Sequence, residues 1–151
     1  MPDIIRVRVL VDSREPWPHP WEEYLPEHWL MQRGMLETGD LALAALAEGV
    51  VIERKTPNDL IACMTSSRDR FERELKRGRY TGRFIVICEG SFDDVVAAAR
   101  GMHRNSIVGT LASWTVRFCP FVFMGSRALA ADFAFRALNA QVRDIMRTAK
   151  A

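Results

Sequence analysis

The sequence has 151 residues, of which 48% are hydrophobic and 26% are charged, and this composition indicates a globular domain and excludes a disordered chain. The net charge of +2 is too small to indicate a class of partner, and no apolar run approaches the ~20 residues of a membrane span. The amino-terminal residues lack the unbroken apolar region of a signal peptide. Three widely spaced cysteines favour buried thiols over a zinc site. We therefore expect one cytoplasmic domain, residues 1–151, without membrane association.

The first 53 residues predict three strand regions and one helix. Residues 4–12, 36–46 and 50–53 are apolar segments in which charged residues stand at the ends or at a glycine corner, a pattern that favours strands. Residues 17–29 contain three tryptophans and three prolines. This composition predicts a loop that leads into a short helix near residues 22–33.

The remainder of the chain predicts five helices and two strands. The strands are short apolar runs at residues 84–88 and 120–124. Pro57 suits a helix start, Ser91 and Asp94 have the spacing of a capping box, and Ser126 can cap the last helix. The helices are expected at residues 57–64, 68–79, 91–100, 105–118 and from 126 onward. Strands followed by helices predict an α/β fold around a mixed sheet.

Acidic residues stand where the predicted strands end, at Asp12, Glu15, Asp40 and Glu53. If the strands are neighbours, these carboxylates converge and repel one another unless a cation neutralises them. Mg²⁺ and Mn²⁺ prefer such oxygen ligands and retain waters for a phosphate substrate. Glu53 and Lys55 alternate along a strand, so their side chains share a face, and Lys55 could orient a water or offset charge on a phosphate. The pattern predicts a phosphodiester-hydrolysing site; the alternative is that strand ends are charged because they meet solvent.

Three motifs in succession resemble the XPF-type nuclease domain: Val11-Asp-Ser-Arg-Glu15, Gly39-Asp40 and Glu53-Arg-Lys-Thr-Pro-Asn-Asp59-Leu60. The resemblance covers roughly residues 4–125, and residues 102–109 are similar to a segment of bacterial and phage members. It implies a restriction-endonuclease-like α/β core, in which a central mixed β-sheet is flanked by helices. It also implies cleavage of branched or flapped DNA that depends on Mg²⁺ or Mn²⁺, by a small bacterial or phage protein.

The resemblance also implies roles for individual residues. Asp40 and Glu53 match the metal-binding acids, with the Arg54 carbonyl as a further candidate ligand, and Lys55 matches the catalytic lysine. Asp12 is taken as a third metal ligand. The positions that would support the metal, the water or the scissile phosphate are Asp12, Arg14, Glu15, Arg54 and Asp59.

Two departures from the family pattern leave substrate and partner open. Members often have Gly-Arg-Leu-x-x-Gln where this chain has Ser67-Arg68-Asp69-x-x-Glu72, so the role of the glutamine is vacant or taken by Glu72. In addition, we expect no tandem helix-hairpin-helix module, which in relatives supplies dimerisation and much of the grip on DNA. A homodimer remains an expectation, with the apolar stripe of the last helix as its candidate interface or, more simply, as core.

The candidate DNA-binding residues are Arg68, Arg70, Arg73 and Arg104. Neutralising phosphates with arginines would give an affinity that falls with salt. The alternative is a solvated helix face stabilised by pairs such as Glu72 with Lys76. His19 and Glu89 are not expected to be catalytic, and the tryptophan-rich loop is expected to pack against the sheet rather than stack on bases.

Three functions follow from these residues. The leading one is a metal-dependent DNA endonuclease. The second is a non-catalytic DNA-binding or scaffolding subunit, although every acid of the motif is present. The third is a nuclease of the same fold that acts on RNA or unbranched DNA.

Overall fold

The computed structural model describes residues 6–46 and 49–151. The centre of the described structure is a six-stranded mixed sheet with the order β2-β1-β3-β4-β5-β6. β3 is antiparallel to β1 and to β4, and the other neighbouring strands are parallel. The strands are β1 Arg8–Asp12, β2 Leu30–Gly34, β3 Leu41–Leu43, β4 Val50–Lys55, β5 Arg83–Cys88 and β6 Phe121–Phe123.

Helices cover both faces of the sheet. α1 to α4 pack on one face and α5 packs on the other. None of the helices within the described ranges is long and apolar enough to cross a lipid bilayer. The helices are α1 Pro57–Met64, α2 Arg68–Arg79, α3 Phe92–Ala98, α4 Arg104–Arg117 and α5 Arg127–Lys150, with a 3-10 turn at Glu22–Tyr24.

Polar caps determine where three of these helices begin. The side chains of Thr56, Ser91 and Ser126 each accept a hydrogen bond from a backbone N–H of the first helical turn. Such a cap stabilises a helix by about 1 kcal/mol. Thr56 directly follows Lys55, so the cap of α1 also fixes the direction in which the chain leaves β4.

Alternation along β4 divides its side chains between the two layers. Val51 belongs to the core under α1 to α4, whereas Val50 and Ile52 belong to the core under α5. Because successive strand residues point to opposite faces, Glu53 and Lys55 lie on the side of α1 to α4, and Arg54 lies on the side of α5. The three charges of one motif are therefore on two different faces of the sheet.

The predicted α/β class and the mixed sheet flanked by helices are confirmed. Strands β4, β5 and β6 and all five helices after residue 56 agree with prediction within a few residues. All three cysteines are buried free thiols. The first residues of the strand predicted at 4–12 lie outside the described residues. In the region 36–46 only Leu41–Leu43 is a strand, because the chain turns at Gly39 with a φ of 82°.

The helix predicted near residues 22–33 is wrong. A single 3-10 turn is followed by Pro26 and then by β2, which pairs in parallel with β1 from Leu30 to Gly34. The Leu30 N–H donates to the Val7 carbonyl at 3.0 Å. Pairing with a distant part of the chain therefore outweighed the local pattern, which contains a proline that cannot continue a helix.

Candidate metal centre

The sheet register places three of the predicted acids side by side. Val11 pairs with Leu41, and Leu41 pairs with Ile52, so the next residues in register are Asp12, Asp40 and Glu53. The Asp12 N–H donates to the Asp40 carbonyl at 2.8 Å, and the Asp40 N–H donates to the Ile52 carbonyl at 2.8 Å. All three side chains belong to the face covered by α1 to α4, as strand alternation requires.

Asp12 is held firmly by hydrogen bonds although it is only 2% exposed. Its Oδ1 accepts the Leu36 N–H at 3.0 Å, and its Oδ2 accepts both the backbone N–H and Nε of Arg14, the latter at 2.7 Å. Burial acts to raise the pKa of Asp12, but these hydrogen bonds outweigh it and hold the pKa below its ordinary value. Asp12 is therefore ionised and already satisfied, and it positions the loop and the Arg14 guanidinium.

Asp40 and Glu53 form the crowded part of the site. Burial, followed by repulsion from Glu15, raises the pKa of Asp40 to about 7. Burial, followed by repulsion from Asp40, raises the pKa of Glu53 well above its ordinary value. Asp40 Oδ2 accepts the Arg54 N–H at 2.7 Å, whereas the buried Glu53 Oε2 has no hydrogen-bond partner among the described residues. A buried carboxylate oxygen without a partner is unfavourable, and so is its repulsion by a second carboxylate. A bound cation would relieve both.

Lys55 supplies the positive charge on this face. Its Nζ lies 3.3 Å from Glu53 Oε1 and 5.0 Å from the centre of the Phe71 ring. Burial acts to lower the pKa of Lys55, but the charge of Glu53 together with those of Glu74 and Asp40 outweighs it and raises the pKa. The side chain is therefore an ammonium at neutral pH in the metal-free site, where it is a hydrogen-bond donor.

Arg54 lies on the opposite face and connects several elements. Its Nε bonds Glu15 Oε1 at 2.8 Å, and its Nη1 bonds Glu89 Oε1 at 3.1 Å. Glu89 also accepts the Trp21 indole N–H at 2.7 Å and pairs with Arg127 of α5. The Arg54 side chain therefore holds the framework of the site, while its backbone N–H orients Asp40.

Sequence reasoning gave His19 no role, and for Glu89 it left open whether the side chain lines the site or meets solvent. His19 Nδ1 accepts the Trp21 N–H, so Nε2 carries the proton that is donated to Glu15 Oε1 at 3.0 Å. Burial acts to raise the pKa of Glu15, but His19 and Arg54 outweigh it and lower the pKa. The proximity of His19, four residues after Glu15, was the only local signal, and nothing local linked Glu89 to Trp21.

Two other predicted residues are not part of the acidic cluster. Asp59 is exposed in the first turn of α1, where its N–H donates to Thr56 Oγ1. Arg68 donates to the Met64 carbonyl and to Thr110 Oγ1, both at 3.3 Å, and connects α2 with α4.

Three of the predicted DNA contacts lie on the surface. Arg70, Arg73 and Arg104 are exposed, and Arg104 lies over the Phe92 ring at 5.7 Å. Glu72, considered as a replacement for a family glutamine, instead accepts the Trp114 indole N–H at 2.9 Å. Of the three tryptophans in the amino-terminal loop, Trp21 is fully buried, and Trp29 packs against Phe135.

The donor set fits a hard divalent cation, although within residues 6–46 and 49–151 no three Asp, Glu, His or Cys side chains form a ready-made cage. Mg²⁺ does not require such a cage, because it retains several waters and is usually held by one or two carboxylates and substrate phosphates. Glu53 presents a buried oxygen without a partner, and Asp40 lies beside it. These two residues are therefore the ones that could hold the ion.

The comparisons with known proteins identify the family and the fold. The ERCC4 domain matches residues 8–136 of the sequence. XPF from Aeropyrum pernix is 19% identical, with a TM-score of 0.75 over 95% of this chain and 69% of that chain. XPF from Aeropyrum pernix in complex with DNA is 20% identical, with a TM-score of 0.69 over 92% of this chain and 66% of that chain. Identities this low establish the shared fold alone. No curated protein matches the sequence.

Proposed function

Because the chain belongs to the ERCC4 domain family, as its XPF-type motifs predicted, we propose that it is a DNA endonuclease that requires Mg²⁺ or Mn²⁺ and cuts branched or flapped DNA. The observation that carries the proposal is the grouping of Asp40, Glu53 and Lys55 on one face of the sheet. Two interacting carboxyls with an ammonium 3.3 Å from one of them combine a cation site with a donor to a phosphate or a water.

In this proposal Asp40 and Glu53 hold the divalent ion, which supplies a polarised phosphoryl oxygen and a water of lowered pKa when it is bound. Lys55 remains protonated, because the adjacent Glu53 carboxylate raises its pKa. It therefore orients the attacking water or stabilises charge that develops on the phosphate. Arg14, whose Nε is fixed by Asp12, lies at the rim with a 72% exposed side chain and can contact the scissile strand.

DNA as the substrate is supported by two observations. XPF from Aeropyrum pernix, which shares the fold, was solved in complex with DNA. The exposed Arg70 and Arg73 lie on α2, the helix that covers the site. Arginines so placed would bind phosphates on either side of the cut. A preference for flaps, forks or nicks rests on the family resemblance.

A cleavage assay tests the proposal. Labelled flap, fork, nicked, duplex and single-stranded DNA, together with RNA, are incubated with Mg²⁺ or Mn²⁺ and with EDTA. We expect cleavage of branched DNA only with metal, and a loss of at least ~10²-fold in rate for Asp40→Asn or Lys55→Met. The control is Asp132→Asn, an exposed acid of α5 that pairs with Arg136, and this variant should retain the wild-type rate.

The outcomes separate the three candidate functions. Branched DNA that is bound but never cut by folded protein would identify a non-catalytic DNA-binding subunit. Preferential cleavage of RNA or plain duplex DNA would support the proposed cleavage site but contradict branched DNA as the substrate. Folded Asp40→Asn or Lys55→Met protein that cuts at the wild-type rate would overturn the site.

A further inference from the structure

Helix α2 brings one more acid, Glu74, to the face of the sheet that carries Asp40 and Glu53. Phe71 is buried, and its ring lies 5.0 Å from Lys55 Nζ, so this side of α2 faces the site. Glu74 is three residues further along the helix and therefore lies on the same side, where it is half-buried. Its backbone carbonyl lies 3.5 Å from Thr38 Oγ1, two residues before Asp40 in the chain.

The charge of Glu74 acts on several side chains of the site. Glu74 contacts the Glu53 side chain, and together with burial and Asp40 it raises the pKa of Glu53. It also adds to the Coulomb field at Asp40, Lys55 and Arg14. A carboxylate that interacts with Arg14, Asp40, Glu53 and Lys55 lies beside the acidic cluster.

Among the described residues Glu74, like Asp40, has no ion-pair partner, unlike the three other acids of the cluster. Asp12 pairs with Arg14, Glu15 with Arg54 and Glu53 with Lys55, all at 3.3 Å or less. Among the residues that the structure describes, no basic nitrogen lies within 4 Å of the Glu74 carboxylate, although Arg70 precedes it by one turn of the same helix. A glutamate on the helix surface with only a structural role would be expected to form an i,i+4 ion pair with that arginine.

The side chains of the site carry more negative than positive charge, which a divalent cation could balance. Four carboxylates on the face of α1 to α4 accompany two basic side chains, so full ionisation leaves two negative charges unmatched; the carboxylates are Asp12, Asp40, Glu53 and Glu74, and the basic residues are Arg14 and Lys55. The buried Glu53 Oε2 without a hydrogen bond is independent evidence that a charged partner belongs there. One divalent cation supplies the missing charge.

We propose that Glu74 is a third acidic residue of the divalent-cation site and binds, from α2, a water of the same ion that Asp40 and Glu53 hold. This inference rests on the proposed function. It adds a residue of α2 to a site otherwise formed by the motif residues Asp40 and Glu53.

Titration with Mn²⁺ tests the role of Glu74 without using cleavage. Isothermal titration calorimetry of Glu74→Gln should show a Kd for Mn²⁺ about 10- to 100-fold higher than that of the wild type. Glu74→Asp keeps the charge on a shorter side chain, and its Kd for Mn²⁺ should lie between those of the wild type and Glu74→Gln. The matched control is Asp69→Asn, which removes an exposed acid from the same helix outside the cluster and should leave the Kd within about twofold.

Thermal unfolding supplies a second readout that a purely structural role would not move in the same way. The same concentration of Mn²⁺ should raise the Tm of Glu74→Gln by less than it raises the Tm of the wild type, because the variant binds the ion more weakly. An equal rise in Tm for both proteins, with an unchanged Kd, would overturn the inference.

The outcomes for metal binding and for cleavage are separable. If Glu74→Gln has the wild-type Kd while the wild type cleaves DNA, the inference fails and the proposed function stands. If the wild type binds Mn²⁺ through Glu74 but cleaves no substrate, the proposed function fails and the inference stands. If the wild type binds no Mn²⁺, both are overturned.

Discussion

Asp40 illustrates, at the scale of the residue, how position in a sheet changes the chemistry of an ordinary side chain. It follows Gly39, whose φ of 82° turns the chain so that the carboxyl arrives beside Glu53 on the next strand. A Cβ at Gly39 would also clash with Val51, so the turn and the close approach both require glycine. In the Gly-Asp motif, Gly39 therefore provides the turn and Asp40 provides the carboxyl group.

The raised pKa of Asp40 predicts how the stability of the metal-free protein depends on pH. Burial, then repulsion from Glu15, raises the pKa from 3.8 to about 7. Between these values the folded protein retains a proton that the unfolded chain has lost, so the free energy of unfolding falls as pH rises. In EDTA, the Tm of the wild type should therefore fall relative to that of Asp40→Asn between about pH 4 and pH 7, by about 2–4 °C for each kcal/mol lost.

Thermal unfolding of both proteins across this range, in buffers without metal, checks the sign. Glu53 is present in both proteins, but the substitution also relieves its repulsion by Asp40, so the two effects act in the same direction. A constant difference in Tm at every pH would contradict the raised pKa.

At the scale of the element, the position of α2 depends on its contact with β5. Gly78 is buried at the end of the helix, and a Cβ added there would lie 2.5 Å from the Phe84 ring. This close approach brings Phe71 and Glu74 down onto Lys55 and Glu53. The distance between helix and strand therefore determines whether the helix can contribute to the site.

A pair of glycine substitutions tests this packing. Gly78→Ala should destabilise the protein by about 1–3 kcal/mol through overpacking and should weaken Mn²⁺ binding, because α2 is displaced from the sheet. Gly109→Ala is the control: Gly109 is an exposed residue within α4, and an added Cβ has no neighbour within 4 Å. It should stabilise the protein by about 0.5–1 kcal/mol through helix propensity. Urea unfolding measures both, and a neutral or stabilising Gly78→Ala would contradict the packing argument.

At the scale of the whole molecule, the distribution of charge matters more for DNA binding than the net charge does. The net charge is only +2, yet α2 presents exposed arginines next to a cluster of acids. Association with DNA must then depend on local phosphate contacts, since the overall field is weak. Of the apolar stripe of α5 that was considered as a dimer interface, Leu138 is buried and Phe133 and Val142 are partly buried, whereas Leu129, Ile145 and Met146 are exposed. A homodimer stays a prediction.

The salt dependence of DNA binding tests the exposed arginines. Arg70→Ala combined with Arg73→Ala should weaken binding to branched DNA and reduce the slope of log K against log salt by about 2, one for each phosphate contact. Arg143→Ala removes an exposed arginine of α5 on the opposite face and is the control. Fluorescence anisotropy at several salt concentrations measures the slopes, and equal losses in both proteins would indicate diffuse attraction instead of a defined surface.

The sequence by itself determined the α/β class, most helices and the identity of the acids beside Lys55, because capping residues, periodicity and contiguous motifs are local signals. That the chain is one nuclease domain without a further module stays a prediction. Only the tertiary structure decided that Arg54 faces away from Glu53 and Lys55, that β2 replaces a helix, and that Glu74 and Glu89 join the site from distant elements. These facts depend on sheet register and helix packing, which join residues far apart in the chain, and no local pattern encodes such pairings.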